Sequence, residues 1–326
     1  MNGRFGYLVS TAAAVLILAA CAGPAATPSP APTAAPTPAP TPAPTPAPTA
    51  TAAPTPSVVV PTSLITAGKV VDCVDIEYPP MEYFPSADVT DPALAVGFDV
   101  DSAKAVAAHW GLDIEIRNTG FDALIDDLTN NRCDLVWTAL FVNDTRLQVA
   151  EAVPYLATGH VVMVKAGNPD NIHALTDLCG KSVSIQSGGL VEEKSNAAST
   201  DCTTAGKQAI DIQGYTTVAD EFSQIVSGRV PAVWETDTAV ADWMVKHPGE
   251  YEVAFVVSRD DAYGVYFQKD HDDIAAALTD ALGALKADGS WATIATQYAQ
   301  DPEALAPACP ASLTPPADGC YAVPAP

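Results

Sequence analysis

From residue 69 to residue 234 the chain alternates strand-like and helix-like stretches, and it does so twice in the same order. Residues 69–75 read as a strand, 99–110 as a helix with Val100, Ala103, Ala107 and Trp110 on one face, 112–117 as a strand, 121–130 as a helix and 134–140 as a short apolar strand. This order predicts an α/β fold whose parallel sheet is covered by helices on both faces. The series restarts with strands at 182–186, 209–212 and 230–234 and a helix opening near Gly189, so two α/β units follow one another as two lobes. Residues 272–300 add Ile274, Leu278, Leu282 and Leu285 at helical spacing, a break at Asp288-Gly289, and a second helix capped by Ser290.

What precedes the first strand is not core material. One cation, Arg4, leads into an apolar stretch at 8–20 that is too short to span a bilayer and reads, over residues 1–20, as an export signal. It ends in Leu18-Ala19-Ala20-Cys21, the pattern of a bacterial lipobox. Cleavage there makes Cys21 the first mature residue and the acylated anchor, on the extracytoplasmic face of the cell membrane; two or more acyl chains hold stably, at about 0.8 kcal/mol per buried methylene. Residues 21–56 are almost wholly Ala, Pro and Thr beyond that cysteine and read as a tether. At about 3.1 Å per residue in polyproline II, it reaches on the order of 100 Å.

The net charge of −24 argues against nucleic acid or an anionic membrane surface as a partner, leaving the lipid anchor as the membrane contact. Setting Cys21 aside leaves six cysteines, which in an oxidising compartment pair as disulfides. Sequence alone allows about fifteen pairings. Closeness along the chain favours Cys179 with Cys202 and Cys309 with Cys320. No pair has C-x-x-C spacing and the five histidines are scattered, so no metal and no cofactor is expected.

Two long motifs are specific: Asp75-Ile76-Glu77-Tyr78-Pro79-Pro80-Met81-Glu82-Tyr83, and Val96-Gly97-Phe98-Asp99-Val100-Asp101-Ser102-Ala103-Lys104-Ala105. With Phe121-Asp122-Ala123-Leu124-Ile125, Asn131-Arg132-Cys133-Asp134-Leu135, Thr145-Arg146, Leu175-Thr176-Asp177-Leu178-Cys179-Gly180 and Ala287-Asp288-Gly289-Ser290-Trp291, they resemble the family 3 extracellular solute-binding proteins in order and spacing. The resemblance runs from about residue 69 to 300.

It implies a two-lobed, type II periplasmic-binding-protein-like fold: two doubly wound sheets joined by a two-strand hinge, closing on ligand. Lobe 1 would hold 69–164 plus 260–300 and lobe 2 165–258, with 301–326 a Cys/Pro-rich tail. In the implied sheet order the first and third strands are neighbours, which pairs Cys73 with Cys133. The implied function is capture of an amino-acid-like solute for an ABC import permease, by a monomer that is not an enzyme.

By the same resemblance Arg146 grips a ligand carboxylate, a task suited to a guanidinium fork. Tyr78 and Phe121 sandwich the side chain and Asp75 is a cleft carboxylate. Thr138, Ala139 and Phe141 follow the third strand; Gly188 and Gly189 open a helix with free N–H groups for an anion; Glu235, Thr236 and Asp237 end the last lobe 2 strand. Ala139, Phe141 and Gly189 replace small or hydroxylated residues of the family pattern, and Thr236 stands where the family has an aspartate. Carboxylates Asp75, Glu77, Glu235 and Asp237 with aromatics Tyr78, Phe121, Phe141 and Trp234 point to a cation. Two alternatives stay open: a sensor presenting ligand to a receptor, and a cyclohexadienyl dehydratase-like enzyme on the same fold.

Overall fold

The computed structural model describes residues 58–305, so the signal, Cys21, the tether and the Cys309–Cys320 pair lie outside the described residues. The strands are β1 (Lys69–Val74), β2 (Asp113–Asn118), β3 (Leu135–Val136), β4 (Ala150–Lys165), β5 (Ser182–Gln186), β6 (Asp211–Tyr215), β7 (Ala232–Thr236) and β8 (Tyr251–Gln268). The helices are α1 (Phe98–Trp110), α2 (Leu124–Thr129), α3 (Asp144–Leu147), α4 (Leu190–Thr204), α5 (Val218–Val226), α6 (Asp237–Lys246), α7 (Asp272–Asp288) and α8 (Ser290–Gln297).

β1 pairs in parallel with β2 and β3, and β5 with β6 and β7, giving one parallel set to each lobe. The two sets are not separate sheets, however. β4 and β8 pair antiparallel along nearly their whole lengths; β8 meets β3 near its C-terminal end and β4 meets β7 over its C-terminal half, so the order β2-β1-β3-β8-β4-β7-β5-β6 is continuous. The ribbon bends at register shifts between Pro154 and Val161 and again before Met163, as bulged strands do. At Gly159 a Cβ would run into the Ser258 carbonyl of β8, so glycine is what lets the strands approach there.

α1 forms because Gly97, at φ 136, brings the helix start against the preceding turn: the N–H groups of Phe98 and Asp99 donate to the carbonyls of Pro80 and Met81. Gly111 ends it in the left-handed conformation. Val100, Ala103, Ala107 and Trp110 are all buried, with α7 and α8 packed nearby. Other elements are shorter or shifted against the sequence expectation. The apolar run at 134–140 gives only two strand residues, because Ala139 takes φ 46 and turns the chain away from the sheet. Disulfides join Cys73 to Cys133 and Cys179 to Cys202, with Cα atoms 5.8 and 5.6 Å apart.

Buried carboxyls set an unusual pH response. Burial pushes Asp72, Glu82 and Glu221 well above the ordinary carboxyl range, and Asp75 and Glu77 to about 7 and about 8. A carboxyl raised on folding contributes its full stability below the unfolded value and loses it as pH rises through the folded value. The melting temperature is therefore expected to fall as pH climbs from about 5 to about 9. A melting temperature that rises steadily over that range in scanning calorimetry would contradict it.

Candidate functional site

The carboxyl ends of β1, β3, β5 and β7 converge, where ligands of open α/β sheets bind. Asp75, Tyr78, Phe121, Thr138, Ala139, Phe141, Gln186, Gly189, Leu190, Val191, Glu235 and Thr236 line a cavity there. It is narrow, about 20 Å³, room for about one water. A molecule the size of an amino acid enters only when the lobes part.

The edge supplied by residues 137–139 is held by three buried carboxyl groups in succession. Asp72 accepts from Trp137 N at 2.9 Å, Glu82 from Thr138 Oγ1 at 2.9 Å, and Asp99 from Ala139 N at 2.6 Å. A left-handed alanine costs on the order of 1 kcal/mol or more, and the bond to Asp99 helps hold it. Thr138 Oγ1 also accepts from Asp75 N at 3.0 Å, tying β1 to the same edge.

Across the cavity the lobes touch through polar contacts. Tyr78 Oη donates to Glu235 Oε1 at 2.7 Å and lies 2.5 Å from Thr236 Oγ1. Glu77 Oε1 accepts from Gln186 Nε2 at 3.2 Å and Val218 N at 3.3 Å. Phe121 packs against Gly188 and Gly189: a Cβ on Gly189 would meet the Phe121 ring at 3.5 Å, and one on Gly188 would meet Asp122 Oδ1 at 2.8 Å. Gly188 takes φ 83, a conformation that favours glycine, whereas at Gly189 a Cβ would make only ordinary contact with Phe121. Phe141 stacks on His160 of β4 with ring centroids 4.5 Å apart, so one wall of the cavity rests on the ribbon.

Electrostatically the site is acidic. Burial, then the charge of Asp122, raises Asp75 to about 7; burial, then the charge of Asp75, raises Glu77 to about 8. Glu235 is 1% exposed and raised by burial, and its Oε2 has no hydrogen-bond partner among the described residues. Glu221 of α5 is buried beside it and pushed up in turn, so this pair coexists only with a proton between the two.

Several sequence-selected residues sit elsewhere. Arg146, on the helix turn capped by Asn143, does not line the cavity: Nη1 donates to Phe141 O at 2.9 Å and the guanidinium lies 5.8 Å from the Phe121 ring centroid, behind both walls. Burial lowers its pKa. Asp237 faces away, accepting from Thr158 Oγ1 at 2.7 Å and Gly159 N at 3.3 Å, because the chain turns into α6 at Thr236. The N–H of Gly188 is not free; it donates to Glu192 Oε2 at 2.6 Å. Trp234 points into the lobe 2 core, as strand alternation requires once Glu235 faces the cavity. Val191 and Glu221 were not singled out by the sequence. A carboxylate on the apolar stripe of α5, beside Val218, Phe222 and Ile225, was the available signal for Glu221.

Comparison with known proteins agrees with this fold. The lysine/arginine/ornithine-binding periplasmic protein of Escherichia coli (strain K12) is 27% identical over 211 residues, 62% of this chain and 78% of that protein. The L-cystine-binding protein TcyJ of the same organism is 25% identical over 224 residues, 68% of this chain and 79% of that protein. The structure of an amino acid ABC transporter substrate-binding protein, AbpA from Streptococcus pneumoniae, bound to L-arginine, matches with a TM-score of 0.63 at 21% identity, over 71% of this chain and 94% of that one. At that identity the likeness speaks for the two-lobed fold. Residues 70–301 match the bacterial extracellular solute-binding proteins, family 3, and the chain belongs to that family.

Proposed function

We propose that this protein captures a cationic, amino-acid-like solute between its lobes, outside the cytoplasm, and delivers it to an ABC import permease while held to the membrane through acylated Cys21. The observation that supports the ligand class is the cavity: Asp75 and Glu235 line it beside Tyr78, Phe121 and Phe141, and among the described residues no lysine or arginine does. Aromatic faces attract ammonium or guanidinium groups by roughly 0.5–2 kcal/mol each, and the carboxylates add charge pairing. Relatives named for lysine, arginine, ornithine and histidine binding support the same class.

In this reading lobe 1 (69–164 plus 260–300) and lobe 2 (165–258) close as a monomer about the β4–β8 ribbon. Tyr78 and Glu77 make the cross-lobe contacts, and Arg146 supports the walls from behind by its bonds to Phe141 and Phe121. The signal (1–20), tether (21–56) and tail (301–326) serve export, reach and the Cys309–Cys320 closure. Calorimetric titration of the full chain is expected to rank arginine, lysine, ornithine or histidine above glutamate and aspartate; tighter binding of either acidic amino acid would refute the cationic reading. Turnover of prephenate or arogenate would refute the binding-only reading. Cys21→Ser is expected to release a folded protein from the membrane fraction, and a cleaved product still sedimenting with membranes would remove the lipid anchor.

A further inference from the structure

We propose that Glu221, which lies outside the cavity lining, is a positioning residue for the ligand: as a neutral acid it donates to Glu235 Oε2 and so holds Glu235 as a single, fixed carboxylate aimed at a ligand cation. This rests on the cationic reading above and deepens it by naming what keeps that charge in place.

Glu221 sits on α5 among the buried side chains of Val218, Phe222 and Ile225, and is itself 0% exposed. Both of its oxygens and Glu235 Oε2 are buried without a hydrogen-bond partner among the described residues, although the two carboxyls lie within hydrogen-bond reach of each other. Two carboxylates bring no donor to that contact. A proton on one of them supplies it.

The surroundings assign that proton. Glu235 Oε1 accepts from Tyr78 Oη at 2.7 Å and from Thr236 N at 2.9 Å, and both bonds favour its ionised form. Glu221 accepts nothing among the described residues, and negative charge on Glu77 opposes charge on Glu221. The acid is therefore Glu221 and the carboxylate Glu235. One donor behind Oε2 and two on Oε1 leave Glu235 with its charge in a fixed direction, on the wall that Asp75, Tyr78 and Phe121 complete. With the Glu221 donor removed, that charge loses a bond in a site shielded from water and becomes harder to sustain. A ligand cation then meets a neutral acid.

Three ligands test this on the full chain by calorimetry near neutral pH: arginine, citrulline, which lacks the guanidinium charge, and arginine without its α-amino group. Glu235→Gln is expected to compress one of the two affinity ratios, arginine over citrulline or arginine over the deaminated analogue, and so identifies the cation that faces Glu235. Glu221→Leu, which completes the apolar stripe of α5, is expected to compress the same ratio by about tenfold, the scale of one hydrogen bond to a charged group. Glu221→Gln keeps a donor and is expected to hold the ratio within about threefold of the wild type. A merely structural defect weakens all three ligands alike and leaves both ratios unchanged. Should Glu221→Leu fail to fold, the infrared difference between the wild type and Glu221→Gln carries the test: loss of a protonated-carboxyl carbonyl band supports the inference, and loss of a carboxylate band overturns it. Unchanged ratios in Glu221→Leu or in Glu235→Gln, or equal compression by both Glu221 variants, overturn the inference while the cationic reading stands. If citrulline binds the wild type as tightly as arginine, the cationic reading falls, and the inference is decided by the α-ammonium ratio.

Discussion

Replacing Cys73 and Cys133 together by alanine is expected to lower the unfolding free energy by about 4 kcal/mol. The bridge closes a separation of 60 residues between two cysteines that are essentially unexposed, and chain-entropy loss grows with the length of the closed loop. Cys73 sits in β1 beside Arg117 of β2 and Val136 of β3, so the bridge fastens the strand leading to Asp75 to the loop that precedes Thr138. Removing Cys179 and Cys202, which are 23 residues apart, is expected to cost less, about 3 kcal/mol. Denaturant unfolding of both double variants checks the order. A loss below about 1 kcal/mol for the first would show that the reduced chain keeps those segments together without the bond.

Affinity for the cationic ligand is expected to rise on the order of tenfold between about pH 6 and about pH 9. At the lower pH Asp75, which lines the cavity and is raised to about 7, is mostly protonated. Ligand amines, with pKa values near 10, keep their charge across the range. Binding must therefore expel protons from carboxyl groups at low pH and need not at high pH, and affinity follows the fraction ionised. Titrations in buffers of different ionisation enthalpy would show the proton release directly. An affinity that is flat or falls across this range would place the carboxylates outside the binding event.

Local patterning made much of this fold legible. The buried stripe of α1, the restart of strand and helix after residue 180, and the apolar spacing of α7 each follow from one element's own sequence. The pair that joins the lobes, β4 and β8, carries no such mark. β4 contains Pro154 and Gly159 and is buried along most of both faces, so it alternates poorly, while β8 begins with a half-exposed run that reads as loop. For the site, Asp75, Thr138 and Glu235, named from the sequence, lie at strand ends that line the cavity. The strand-end rule could not foresee side-chain direction, which tertiary bonds decide. Asp237 is captured by Thr158 and Gly159, Gly188 by Glu192, and Arg146 by the Phe141 carbonyl.

Because β4 and β8 stay hydrogen-bonded through both lobes, the lobes cannot slide along one another; a slip of one residue would turn every side chain of the ribbon to the wrong face. Bending at the register shifts is the motion left, and the His160 ring at that bend is stacked on Phe141 in the cavity wall. On the proposed function, occupancy would thereby be converted into a single angle. A partner that docks across both lobes can respond to that angle alone, so recognising the solute and reporting its capture are separate tasks, and the cavity is free to change its chemistry while the outward signal stays the same.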